Sequence, residues 1–136
     1  MTAQELAHHL KSKFGDLISE PAEFRGEVTV TLADAERVAE VCGFAKRNLG
    51  CDFLLDITSV DNYGQEPRWL VVYELYGLGH RAHLRLKTMV SEERSELPTV
   101  TGVWRTANWH EREIYDLMGL RFRGHPDLRR ILMWEG

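Results

Sequence analysis

Cysteine is scarce in this chain: Cys42 and Cys51 are the only two in 136 residues, nine positions apart and without a CxxC partner. An iron–sulfur cluster needs about four suitably spaced thiolates, so this sequence cannot hold one alone. So low a count also fits reduced thiols in a cytosolic protein better than a disulfide framework. No run of about 18 apolar residues is present, which leaves no candidate for a membrane-spanning helix. The opening MTAQELAHHLKSKFG is polar and amphipathic, unlike a basic-then-apolar secretory leader. Phosphate loops of the GxxxxGK[ST] kind, GxGxxG fingerprints and G-x-S-x-G elbows are missing too. Gly77-Leu78-Gly79 reads as a hairpin loop. A net charge of -4 removes any global attraction to nucleic acid, although charge can still be concentrated locally.

What is present is an ordinary globular composition, 43% hydrophobic and 28% charged, without repeats, low-complexity tracts or long linkers. One domain over 1–136 is therefore expected. Leu6, Leu10 and Phe14 recur four apart and predict a helix over 3–14 closed by Gly15. EVTVTL, 27–32, alternates as a strand with Val28, Val30 and Leu32 inward. Ala35, Val38, Ala39, Cys42, Ala45 and Leu49 form the apolar stripe of the clearest helix, started near Asp34 and stopped at Gly50. Residues 52–60 read as a strand with Phe53, Leu55 and Ile57 on one face, followed by the turn Asp61-Asn62-Tyr63-Gly64. WLVVYELY and RAHLRLK flank GLGH as a hairpin. Pairing Tyr76 with Arg81 puts Val71, Tyr73 and Leu75 on one face with Ala82, Leu84 and Leu86, and sets Glu74 opposite His83. SEERSELP is a polar loop, and Asn108 opens the last substantial helix, with Gly119 as its stop. Leu120 and Phe122 alternate with Arg121 and Arg123, and Asp127 is placed to cap a short helical turn carrying Leu128, Ile131 and Leu132. Strands clustered in the middle of the order predict an α+β two-layer sandwich, a mixed sheet of about four strands with helices packed on one face.

The candidate chemistry gathers in WHEREIYDLMGLRFRGHPDLRRIL. His110-Glu111 lacks the second histidine of a zinc-protease helix, because Ile114 stands where it would be. His80 and His83 straddle a turn and a strand start, without a ligand cluster around them, and read as solvated. Glu111 is the third residue after Asn108 and can complete a capping box. Arg112 and Asp116 are four apart and can pair on a solvated face, while Ile114, Leu117 and Met118 form the packed side. A small hydrolase using Glu111 or Glu113 with His110 would lack a nucleophile motif. A nucleic-acid-binding α+β domain using the hairpin face of Tyr76, Arg81, Arg85 and Lys87 would lack an RNP-like aromatic motif.

Taken together, Glu111-Arg112-Glu113, Asp116 with two apolar residues after it, His125, Arg129 and Ile131-Leu132 closely resemble the signature of one family. It is the 30 kDa subunit family of respiratory complex I, the C subunit of bacterial proton-pumping NADH:quinone oxidoreductase. Related subunits occur in energy-converting hydrogenases. The likeness runs from about Gly50 to Met133, through DITSVDN, WLVVYELYG, HLRLKTMV and PTVTGVWRTANWHEREIYD. It implies a non-catalytic subunit of the peripheral arm, on the cytoplasmic side of the membrane, packed against the large subunit of the quinone cavity. It implies no catalytic residue, metal or cofactor in this chain, with FMN and iron–sulfur clusters in the partner subunits. Glu111, Arg112, Glu113, Asp116, His125, Arg129 and Arg130 are the signature positions, to which we assign structural and docking roles. Family members continue with a basic, proline-containing tail; here the sequence reads Met133-Trp134-Glu135-Gly136, so either that tail is shortened or the form is truncated. Arg121, Arg123, Arg129 and Arg130 near Phe122, His125 and Trp134 have the composition of an interface.

Overall fold

The computed structural model describes residues 1–126. Thr2 starts helix α1 (Ala3–Phe14): its hydroxyl accepts from the Glu5 amide at 3.2 Å, and the Glu5 carboxylate accepts from the Thr2 amide at 3.0 Å. This reciprocal pair satisfies two donors that the first helical turn leaves without partners. Leu6, Ala7 and Leu10 are buried, and Phe14 meets Phe44 edge-on with ring centroids 5.6 Å apart. A 3-10 turn, Gly15–Leu17, leads to β1 (Ala22–Phe24) and β2 (Glu27–Leu32), where Val28, Val30 and Leu32 point inward as their alternation requires. The following helix begins as a 3-10 turn, Ala35–Arg37, capped by Asp34, and continues as α2 (Val38–Leu49). Val41 and Gly43 join its buried side, and Gly50 ends it in the left-handed conformation, φ 74°.

Strands β3 (Phe53–Asp61), β4 (Trp69–Gly77) and β5 (Ala82–Val90) complete a five-stranded sheet in the order β1-β2-β5-β4-β3. All its neighbours are antiparallel except β2 and β5, so the sheet is mixed. The inner face of Val30, Val71, Tyr73, Leu75, Leu84 and Leu86 is fully buried. Helix α1 lies against β2 and β5, and α3 (Ala107–Met118) against β3. This is the α+β sandwich that the element order predicts, with one more strand in the main sheet than expected.

Three details differ from expectation. The hairpin pairs Tyr76 with His83 and Gly77 with Ala82, two residues away from the expected register. A shift of two preserves the alternation, so every side chain keeps its face. In β3 the register slips between Leu54 and Asp56, where Leu55 is the extra residue of a bulge. Leu54 and Ile57 therefore point inward, and Phe53 and Leu55 are about half exposed, at 49% and 53%. Finally, the polar loop contains β6 (Glu96–Pro98), which pairs in parallel with β7 (Arg121–Arg123) and buries Leu97 against the core.

Candidate functional site

Helix α3 carries most of the signature, and it starts differently from the sequence expectation. Asn108 lies inside the helix; Thr106 holds the first position with helical angles and no side-chain cap. Backbone turns replace the missing cap. Val103 and Trp104 amides donate to the Val100 carbonyl at 3.0 Å, Ala107 to Trp104 at 3.1 Å and Asn108 to Arg105 at 3.1 Å. The chain thus winds into α3 with its early donors already satisfied. Trp104 fixes the approach, donating its indole N–H to the Cys51 carbonyl at 3.1 Å, and Lys46 donates to the Val103 carbonyl at 2.7 Å.

Glu111 is consequently freed from the expected capping box. Its side chain is fully buried, accepting the Val100 amide at 2.8 Å on one oxygen and the Thr99 hydroxyl on the other. Burial strips water from the carboxylate and pushes it up to about 7, against the lowering effect of those two hydrogen bonds. His125, its side chain equally buried, places Nε2 4.0 Å from the Glu111 carboxylate and 3.2 Å from the Asn108 carbonyl. Thr99 in turn donates its amide to the Arg123 carbonyl at 2.9 Å. One carboxylate therefore ties α3 to the segments that follow β6 and β7. No local pattern in the sequence points to Thr99 or Val100 as its partners, since they lie 12 and 11 positions away.

The other signature positions separate. Arg112 is half-buried, and its Nε has no hydrogen-bond partner among the described residues. The expected Arg112–Asp116 pair is not among the ion pairs of the described residues; Asp116 is half-buried. Glu113 is exposed and lines a cleft against β3. Arg129, Arg130 and the short turn expected at Asp127, Leu128, Ile131 and Leu132 lie outside the described residues. His110 is partly buried and reaches Asp56 of β3, 3.3 Å from Nδ1 to Oδ1. Ile114 packs inward as expected, whereas Leu117 and Met118 do not: they are 66% and 38% exposed.

Several charges read from the sequence as interface or solvent-facing are used within the chain. Arg123 bonds Glu96 at 3.2 Å and also Glu36. On the hairpin's outer face, Glu74 takes Arg85 Nε at 2.9 Å and His83 Nε2 at 2.7 Å, and Arg85 also reaches Glu27 at 2.8 Å. His80 is held between the Met1 amino group, 2.9 Å away, and the Leu49 carbonyl, 3.0 Å away. It thus caps the C-terminus of α2 instead of being solvated. His80 and His83 serve separate partners, and among the described residues no three His, Cys, Asp or Glu side chains group as metal ligands. Both cysteines are buried and free, and burial raises both thiols, Cys51 to about 11. No helix of the described residues is long and apolar enough to cross a membrane.

A two-layer α+β domain with a sealed carboxylate hub and an apolar helix edge left to solvent is the class these features define. Residues 31–136 match the family described as the 30 kDa subunit of respiratory-chain NADH dehydrogenase. The chain is 51% identical over 131 residues to the C subunit of NADH-quinone oxidoreductase from Geobacter sulfurreducens, covering 93% of this chain and 80% of that protein. Among solved structures it resembles the trypsin-resistant fragment (1-134) of Nqo5, with a TM-score of 0.78 and 34% identity over 91% of this chain and 97% of the fragment. A chain of the membrane-bound sulfane sulfur reductase, an archaeal respiratory membrane complex, shares the fold at a TM-score of 0.80 and 20% identity, covering 96% of this chain and 76% of that one. This chain belongs to the 30 kDa subunit family of respiratory complex I.

Proposed function

We propose that this chain is a non-catalytic structural subunit of a complex I-type NADH:quinone oxidoreductase. It holds the peripheral arm in shape, on the cytoplasmic side of the membrane, beside the large subunit of the quinone cavity. Electrons pass from NADH to quinone through FMN and iron–sulfur clusters carried by neighbouring subunits. The observation that best supports a structural role is the state of Glu111. The signature's first carboxylate is sealed from solvent and hydrogen-bonded to Val100 and Thr99, so it cannot touch a substrate without the fold opening. His110, expected beside Glu111 or Glu113 in an acid–base pair, is engaged with Asp56.

The test is purification of the tagged full-length chain from its native membranes in mild detergent, followed by mass spectrometry and NADH:quinone reductase assays. Co-purification of the large subunit with activity, and no turnover by the isolated chain, is the expected result. Turnover by the isolated polypeptide, or a folded bait that recovers no respiratory subunit, overturns the reading.

A further inference from the structure

Among the described residues, β3 is the last strand of the sheet and pairs only with β4, which leaves the backbone groups of its other edge without a strand partner there. Helix α3 packs against β3, and a groove remains between them. Residues 56–59 form one wall of the intervening groove, and Glu113, Ile114, Leu117 and Met118 form the other. Four consecutive strand residues in one wall mean that the groove follows the strand's edge rather than either face of the sheet. Beside it the Ser59 hydroxyl is buried and has no hydrogen-bond partner among the described residues.

The groove's chemistry narrows its occupant. Leu117 and Met118 supply exposed apolar surface above the buried Ile57 and Ile114, and Leu117 is 66% exposed, unusual for a leucine beside a core helix position. Glu113 and Asp56 place a carboxylate on each wall, Asp56 already meeting His110 at 3.3 Å with its side chain half exposed, and none of the lining residues is Lys or Arg. Natural edges are commonly protected by lysine, proline or a bulge. Here the bulge at Leu55 disrupts only the start of β3, and the segment 57–60 carries neither charge nor proline.

We infer that this groove receives an extended apolar segment with Lys or Arg at its flanks, contributed by a neighbouring protein subunit and added to β3 as a further strand. Backbone pairing supplies the affinity in such an arrangement, and alternate side chains set the specificity. The inference rests on the subunit reading above and identifies the surface through which assembly occurs.

The experiment places the photo-crosslinking amino acid p-benzoylphenylalanine at Leu117 or Thr58 in the full chain, in the detergent-solubilised complex. The crosslinked peptides are then sequenced. A peptide from another subunit with apolar residues between Lys or Arg supports the inference. Crosslinks confined to a second copy of this chain, to its own residues 127–136, or to an acidic peptide overturn it. In parallel, Leu117→Glu and Glu113→Lys should each lower recovery of the neighbouring subunit at least tenfold, with thermal unfolding of the isolated chain unchanged. Leu78→Glu in the exposed hairpin loop should leave recovery intact. Normal recovery with both groove variants sinks this inference alone, whereas wild-type chain that recovers no respiratory subunit sinks the proposed function with it.

Discussion

Nε2 of His125 and Oε1 of Glu111 approach to 4.0 Å with both side chains closed off from water, and the same imidazole nitrogen lies 3.2 Å from the Asn108 carbonyl. The Nε2–H donates to the Asn108 carbonyl, and the Glu111 carboxylate lies just beyond its hydrogen-bond reach. The turn after β7 is thereby fastened to the first half of α3, with Glu111 at the centre of the junction. A buried carboxylate in that position links folding to pH.

Glu111 is raised from an ordinary 4.5 to about 7 in the folded chain. The folded state therefore binds this proton more tightly than the unfolded chain does. Its contribution to stability is full below about pH 4.5, falls as pH rises toward 7, and is absent above that. The total is on the order of 3 kcal/mol for a shift of this size. Glu111→Gln should abolish this part of the pH dependence, which urea unfolding at pH 5 and pH 8 will measure. Equal pH slopes for the two proteins would contradict the assignment.

Gly77 admits no side chain. A Cβ built there would lie 2.9 Å from the Gly50 carbonyl oxygen, a backbone atom that cannot swing aside. Gly77→Ala should destabilise the chain by about 1–3 kcal/mol through this overlap. Gly79, two residues on in the hairpin turn, has nothing within 4 Å of an added Cβ. Gly79→Ala should stay within about 0.5 kcal/mol of wild type, and thermal melts of the two variants compare them directly.

The small β6–β7 sheet is held by its apolar residues. Leu97 is fully buried and Phe122 is 1% exposed. Phe122→Ala should cost about 3–5 kcal/mol and Leu97→Ala about 2–5 kcal/mol. Loss of amide protection at residues 96, 97 and 99 in hydrogen exchange should accompany both.

Arginines 121 and 123 are neighbours on one strand with different roles. Arg123 bridges Glu96 and Glu36, while Arg121 is exposed. Because the Arg123 side chain is 47% exposed, solvent screens the pairs, and Arg123→Ala should cost only about 0.5–1 kcal/mol, diminishing in high salt. Arg121→Ala should change stability by less than about 0.5 kcal/mol. Melting curves at low and high salt separate the two.

How far the sequence is legible depends on the range of the interaction. The faces of β4 and β5 follow from alternation and survive a hairpin register wrong by two, because parity is conserved. Parity fails at Leu55, where a bulge has no marker in composition and turns Leu54 inward in place of its neighbours. Strand β6 has only Leu97 as an apolar signal within polar surroundings, too little for any periodicity to register. Glu111 sits at a spacing that fits a local capping box, yet its partners come from residues brought near by the fold. Leu117 and Met118 share a helical stripe with Ile114, but α3 lies at the sheet's edge, where only part of that stripe meets the core. The signature as a whole is recognisable from spacing, while the role of each residue in it requires the packing.

Strands β2 and β5 lie side by side in parallel, Val30 beside Leu86, and Thr88 donates its hydroxyl to the Leu32 carbonyl at 3.0 Å. The family match begins at residue 31, near the end of β2. Trimming the chain to that boundary would keep the recognisable sequence yet strip β5 of its neighbour. The margin now formed by β1 would then move inward to β5, leaving Leu84 and Leu86 beside water and a surface prone to sticking to other copies.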